Sequence, residues 1–205
     1  MREAVIERVR ASGRTTPPAA AAATLLALFE EAGEARLILI RRAQALPVHA
    51  GEVALPGGRV EPGEGMVDAA LREAEEEVGI RPADVEVVGW LDPVVGRTSG
   101  WVALPVVGLL RARPAVVPDP GEVELAFDVA LSDLLAEGVY RQEQWDLPAG
   151  GASRPMHFFE LADDLIWGMT ARVLHQLLAA VIERTAPPPP APRPAREGTT
   201  PPGPA

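Results

Sequence analysis

Apolar residues fall in short runs at strand spacing over much of the chain and take up a helical period in three places. Residues 24–29 and 36–40 are apolar runs joined by Glu30-Glu31-Ala32-Gly33-Glu34, which predicts a β-hairpin. Residues 85–91 and 102–110 read as further strands, with the turn-rich segment 92–100 between them, and residues 123–129 as another. Residues 140–145 and 156–161 can pair across the glycine-rich stretch 147–153. A helical period places Val5, Ile6 and Val9 on one side of residues 3–10, and Leu174, Leu177, Leu178, Val181 and Ile182 on one side of residues 166–184. Ser132 is in position to cap a short helix over residues 132–137. Strands with helices available to both faces predict an α/β chain, an α/β/α sandwich around a mixed β-sheet.

The third helical stretch lies within residues 58–80, GRVEPGEGMVDAALREAEEEVGI. At roughly 100° per residue, Glu73, Glu76 and Glu77 fan across one face while Val67, Leu71, Ala74 and Val78 form a separate apolar stripe. Gly79 suits the left-handed position after a helix, Ile80 the accompanying apolar contact, and Pro82 blocks continuation, so the helix ends near Val78. Carboxylates on neighbouring turns repel one another by roughly 0.2–0.5 kcal/mol per pair on an exposed helix. A divalent cation removes that penalty, and hard carboxylate and carbonyl oxygens suit Mg²⁺ or Mn²⁺. Read alone, the glutamates fit a solvated acidic face better, with Arg72 as an ion-pair partner.

The complete spacing weighs against that simpler reading. Gly58, five residues, Glu64, seven residues, then Arg72-Glu73-Ala74-Glu75-Glu76-Glu77-Val78-Gly79-Ile80 resembles the signature of the Nudix hydrolases, with Ala74 standing where a bulkier apolar residue is usual. The resemblance implies a Nudix-type α/β/α sandwich. It also implies metal binding by Glu73, Glu76 and Glu77 with the Gly58 carbonyl, a positioning role for Arg72, and support of the preceding loop by Glu64.

Upstream, residues 46–58, LPVHAGEVALPGG, following Arg42 and Ala43, resemble the extra motif of the coenzyme A pyrophosphatase branch, with matches at Arg42, Ala43, His49, Ala50, Gly51, Pro56, Gly57 and Gly58. Ile40 stands where threonine is usual, Pro47 where arginine is usual and Leu55 where phenylalanine is usual. Ser99-Gly100-Trp101 and Ile166-Trp167-Gly168-Met169-Thr170-Ala171 are similar to two further stretches of that branch. By this resemblance Arg42, His49, Gly51, Pro56 and Gly57 contact a coenzyme A type of nucleotide. Its products are adenosine 3′,5′-bisphosphate and 4′-phosphopantetheine. Glu122 looks like the loop glutamate that family members bring to the metals or the attacking water, so Glu76 or Glu122 is the expected base.

Individual residues carry competing readings. His49 contacts phosphate, acts in proton transfer, or is a structural loop histidine, and Glu122 has a plain turn residue as its alternative. Arg41 and Arg42, adjacent on a strand, point to opposite faces, and the resemblance selects Arg42 for the cleft. His157 and His175 lack a motif, and Trp167 reads as core packing. Another nucleoside diphosphate derivative (ADP-ribose, NADH or a dinucleotide polyphosphate) remains the rival substrate, and a silent nucleotide-binding regulator the rival class.

Composition narrows the chemistry further. The chain has no cysteine, and no lysine either, its 19 basic residues all being arginine. Thiolate chemistry, Schiff-base chemistry and the phosphate-loop lysine are therefore excluded, and arginine must serve every phosphate contact. A net charge of −10 argues against a broad nucleic-acid surface. The apolar stretch 18–29 is too short to span a bilayer, and Glu3 and Glu7 spoil a basic leader, so a cytoplasmic protein with no membrane partner is expected. The GxSxG, HExxH and GxGxxG motifs are absent. One domain over residues 1–184, open to homodimer formation, and a disordered Pro-rich tail over 185–205 complete the expectation.

Overall fold

The fold is built on the predicted hairpin. In the computed structural model, which describes residue 6 and residues 19–96, 101–147 and 151–182, β1 (Ala22–Glu31) and β2 (Glu34–Arg42) meet at a two-residue turn. Ala32 and Gly33 both have positive φ there, 53° and 82°, the geometry that matches the twist of paired strands. Both strands read as nearly continuous apolar runs because both faces are covered. Leu26, Leu28, Leu37 and Leu39 pack into one core, and Leu25, Ala27, Phe29, Ile38 and Ile40 into another on the opposite face. Each fully buried leucine contributes roughly 1.5–3 kcal/mol, so the hairpin anchors both layers.

The main sheet is mixed. β1 runs parallel to β7 (Val102–Leu110), which pairs antiparallel with β5 (Val85–Trp90) and with the short β6 (Val94–Val95). On the other side β2 pairs antiparallel with β8 (Val123–Ala130). β1 and β2 pair only from Leu28↔Leu37 to the turn and then part. Two short strands occupy the edges so freed, β3 (Val53–Ala54) on β2 and β4 (Gly57–Arg59) on β1. The opening in the sheet thus holds the Pro56-Gly57-Gly58 segment against β1, with Leu25 donating to the Pro56 carbonyl at 2.8 Å.

Helix α1 (Met66–Val78) covers one face. The stripe that seats it is turned from the expected one: Ala69, Ala70, Ala74 and Val78 are fully buried, whereas Val67 and Leu71 are half-buried at its margin. Alanines let the helix axis approach the sheet closely, and this rotation carries Glu77 inward while Glu75 and Glu76 stay exposed. The helix ends as expected. Gly79 adopts φ 72°, its N–H donates to the Glu75 carbonyl at 2.9 Å, that of Ile80 to the Ala74 carbonyl at 3.2 Å, and Ile80 is buried. Gly79→Ala is expected to cost about 1 kcal/mol through the left-handed backbone alone, lowering the melting midpoint by ~2–4 °C in a calorimetric scan.

Two local expectations are corrected. Ser132 does not cap: the short helix α2 (Leu131–Leu134) begins a residue earlier, and the Ser132 hydroxyl donates instead to Glu34 at 2.7 Å. Residues 166 and 167, expected at the start of the last helix, belong to strand β11 (Leu165–Trp167), which pairs with β10 (Gly151–Glu160), itself paired to β9 (Tyr140–Leu147). Gly168, at φ 64°, then turns the chain into helix α3 (Gly168–Ile182). Ala171, Val173, Leu174, Leu177 and Leu178 of α3 pack on the sheet face opposite α1, completing the α/β/α sandwich. Of the expected helix over 3–10 only Ile6 is described, helical and packed on that same core. The Pro-rich tail and residues 97–100 and 148–150 lie outside the described residues. Among the described residues no helix is long and apolar enough to cross a membrane.

Candidate active site

The opening between β1 and β2 and the inner face of α1 meet at Gly57 and Gly58. Gly57, at φ 153°, lies so close to Ala23 and Thr24 of β1 that a Cβ would strike their backbone, and a Cβ on Gly58 would strike the Glu73 carboxylate. These glycines therefore allow β4 to sit between β1 and α1. The Gly57 N–H donates to Glu77 at 2.8 Å, tying the loop to a carboxylate that is only 2% exposed.

Glu77 is the electrostatic centre of this region. Burial pushes its pKa up to about 7; the Gly57 N–H and the Arg42 guanidinium oppose that shift, and the Glu73 and Glu122 carboxylates add to it. Glu73 is likewise raised, first by burial and then by Glu76 and Glu122, against the pull of Arg72. Arg42 lies 3.7 Å from Glu77, too far for a hydrogen bond, and its buried Nε has no partner. The terminal nitrogens of this partly exposed guanidinium can donate to an anionic oxygen from outside the protein.

Arg72 organises the outer edge. Its guanidinium donates to Glu64 at 2.8 and 3.2 Å, to Glu73 at 3.0 Å, to Glu76 at 2.9 Å and to the Arg59 carbonyl at 3.0 Å. Glu64 also accepts from the Glu61 N–H at 3.0 Å, and Arg72 first, then that bond, hold its carboxyl below the usual range. The loop before α1 is thereby fastened to the helix. Glu76 sits at the rim, its side chain 60% exposed, turned toward Arg72.

A turn fixes the backbone of Glu122 near the carboxylates, and its charge adds to the upward shifts of Glu73 and Glu77. The Asp119 side chain accepts from the Gly121 N–H at 2.9 Å, the Asp119 N–H donates to the Glu77 carbonyl at 2.9 Å, and Ala43 N–H donates to the Glu122 carbonyl at 2.9 Å. The segment is thus bolted both to the end of α1 and to the end of β2. In the sequence, Pro118-Asp119-Pro120-Gly121 signals the turn, and the resemblance alone supplies the expectation for Glu122.

Other expected site residues lie elsewhere or act through the backbone. His49, at φ 57° in an exposed loop, pairs with Glu52 at 3.0 Å and makes no described contact with the carboxylates. The Gly51 N–H donates to the Arg42 carbonyl at 3.1 Å, and Pro56 is buried in the opening of the sheet, so both shape the strand ends that present Arg42 and Gly57. Arg41 points to the opposite face, to Asp164 at 3.0 Å and Glu124 at 3.5 Å.

The donor set fits a divalent ion. Two buried or half-buried carboxylates, a third nearby at Glu122, and a glycine whose missing side chain leaves Glu73 room are hard oxygen ligands whose mutual repulsion a cation would relieve. Among the described residues no three carboxylate or imidazole groups close into a cage. Mg²⁺ is commonly held by one or two carboxylates with substrate oxygens and waters completing its shell.

Comparison with known proteins agrees with this geometry. The NUDIX domain model matches residues 18–146. Nudix hydrolase 22, chloroplastic, of Arabidopsis thaliana is 39% identical over 173 residues, 80% of this chain but 56% of the relative. An uncharacterized Nudix hydrolase, NudL, of Photorhabdus laumondii is 39% identical over 146 residues, 71% of this chain and 76% of the relative. The chain thus spans little more than half the length of its Arabidopsis relatives. A MutT/nudix family protein from Enterococcus faecalis superposes with a TM-score of 0.54 at 18% identity, over 85% of this chain and 67% of that one, a likeness of fold. Since the family model spans more than half of the residues and the glutamates of its signature gather on one helix against the sheet opening, the chain belongs to the Nudix family.

Proposed function

We propose that this chain hydrolyses the diphosphate linkage of coenzyme A or its derivatives with Mg²⁺ or Mn²⁺. The observation that carries the reading is the meeting of Arg42, Gly57, Gly58, Glu73 and Glu77 at one opening in the sheet, with the Glu122 charge acting on both carboxylates. When bound by the Gly58 carbonyl with Glu73, Glu76 and Glu77, a divalent ion would neutralise the diphosphate and activate a water. Arg42 donates to a phosphate oxygen from the terminal nitrogens of its partly exposed guanidinium. Arg72 directs the Glu73 and Glu76 carboxylates through its hydrogen bonds. Water attacks one phosphorus, the bridging P–O bond breaks, and Glu122 or Glu76 takes the proton. The two halves depart as adenosine 3′,5′-bisphosphate and 4′-phosphopantetheine, or its acylated form.

Support for coenzyme A comes from residues 42–58, and burial bears on its departures. Ile40 and Leu55 are fully buried in the two cores, so these two differences concern packing. Pro47 is exposed and is the departure that can touch a ligand. Pro47→Arg is therefore expected to lower KM for coenzyme A several-fold with little change in kcat, as measured by steady-state kinetics. A rise in KM would mean that the loop does not approach the substrate.

The deciding experiment is a product-resolved assay of free and acylated coenzyme A, ADP-ribose, NADH and diadenosine polyphosphates with each ion. Coenzyme A forms are expected to be cleaved best. Faster cleavage of another diphosphate would replace the substrate, and a protein inert toward all of them yet binding one tightly would point to a nucleotide-binding regulator.

A further inference from the structure

We infer that Arg59 and Trp101 form the subsite for the adenosine end of the substrate, Arg59 binding its 3′-phosphate and the Trp101 indole lying against adenine. The inference deepens the coenzyme A reading and rests on it.

The argument begins with arginine accounting. With no lysine in the chain, a guanidinium is the one permanently charged side chain available to a phosphate away from the metal-binding carboxylates. Around the opening, Arg72 is spent on three glutamates and a carbonyl, and Arg42 lies against Glu77. Arg41 is turned away to Asp164 and Glu124. Arg59 differs. Among the described residues no carboxylate lies within ion-pair distance of it, and its guanidinium rests 4.2 Å from the centroid of the Trp101 ring.

Position gives this pair its use. Arg59 follows Gly58 in β4, so its Cα is about 3.8 Å from that of the residue whose carbonyl is assigned to the ion. Strand alternation sends the Gly58 position toward Glu73 and the Arg59 side chain to the other side of the strand. The Arg59 carbonyl is meanwhile fixed by Arg72 at 3.0 Å, so the backbone carrying this side chain is anchored to the signature helix. Arg59 is exposed and Trp101 is 36% exposed, leaving a cation and part of an aromatic surface open to solvent one residue along β4 from Gly58. A guanidinium held against an indole is pre-oriented at low entropic cost, and aromatic surfaces bind nucleobases by stacking. Adenosine bearing a 3′-phosphate offers both a base and a dianion at the distance of one nucleoside from the bond to be cleaved.

The test pairs coenzyme A with its 3′-dephospho form in steady-state assays of the full chain. Arg59→Gln is expected to raise KM for coenzyme A at least tenfold and KM for the dephospho form less than twofold. Equal changes for both substrates, or none, would overturn the assignment. Binding of adenosine 3′,5′-bisphosphate and of AMP, followed by calorimetry, separates this subsite from the reaction itself. In the wild type the bisphosphate should bind at least tenfold tighter, and Arg59→Gln should erase that preference. Trp101→Ala should weaken both nucleotides and Trp101→Phe restore them; unchanged affinities in Trp101→Ala would remove the stacking role. Should the protein fail to cleave coenzyme A yet keep an Arg59-dependent preference for the bisphosphate, the subsite stands and the reaction reading falls. Equal binding of the two nucleotides by the wild type would sink the subsite whatever the protein hydrolyses.

Discussion

Replacing Glu77 by glutamine is expected to reduce metal-dependent turnover by about 100-fold or more while raising the stability of the metal-free protein at pH 8. The two effects have one origin. Glu77 is 2% exposed and its pKa stands at about 7, against an ordinary 4.5, because burial and two neighbouring carboxylates oppose its charge. A carboxyl whose pKa is raised in the folded state binds its proton more tightly there than in the unfolded chain. Its favourable contribution is complete below pH 4.5 and is lost as the pH climbs through about 7. At 1.36 kcal/mol per unit, the loss is on the order of 3 kcal/mol in metal-free protein above neutrality. Glutamine keeps an acceptor for the Gly57 N–H and carries no charge, so it escapes that penalty. Calorimetric scans in chelator from pH 4.5 to 8 should show the wild-type midpoint falling relative to Glu77→Gln. Saturating Mg²⁺ should restore the wild type and leave the variant unmoved. A variant with full turnover, or one less stable than wild type at pH 8, would contradict the role given to this residue.

Arg72→Lys is expected to be nearly as damaging to activity as Arg72→Ala, each costing roughly 100-fold. One planar guanidinium reaches Glu64, Glu73, Glu76 and the Arg59 carbonyl together, and a single ammonium cannot reproduce that fork. Both variants leave Glu73 and Glu76 less well directed, so the apparent affinity for Mg²⁺ should fall along with kcat. The stability cost is smaller, roughly 1–2 kcal/mol, because Arg72 is 27% and Glu76 60% exposed and solvent screens their attraction. Denaturant titration and metal-dependent kinetics on the two variants measure these effects separately. If lysine preserved activity, net charge rather than forked geometry would be what the site requires.

The difference between Glu76 and Glu77 illustrates where sequence reading reaches its limit. Helical projection places Glu73, Glu76 and Glu77 together, and the helix that carries them is formed. Angle alone cannot tell how far a helix has rolled on its sheet. The fully buried alanines at 69, 70 and 74 decide that roll, so that Glu77 is enclosed and Glu76 remains in solvent. His49 carries the same lesson from the opposite side, since a motif match proposed it for the site and the loop turns it to Glu52.

Residues 165–167 mark a second limit. Ile166 is apolar in a way that satisfies a strand or a helix, and three residues are too few for a period to discriminate. Pairing of Phe158 with Trp167 and Phe159 with Ile166 settles the matter through contacts that no local window contains.

By itself, the sequence determined the hairpin, the signature helix with its Gly79 stop, the strands at 85–90 and 102–110, and the opposite facing of Arg41 and Arg42. Each follows from a local rule: apolar period, turn chemistry, or the two-residue alternation of a strand. Tertiary structure alone decided the parting of β1 and β2, the insertion of Gly57 and Gly58 into the opening, the burial of Glu77 and the meeting of Arg59 with Trp101. Those arise because chain segments remote in sequence compete for the same strand edge and the same buried volume, and only the folded sheet sets which of them occupies it.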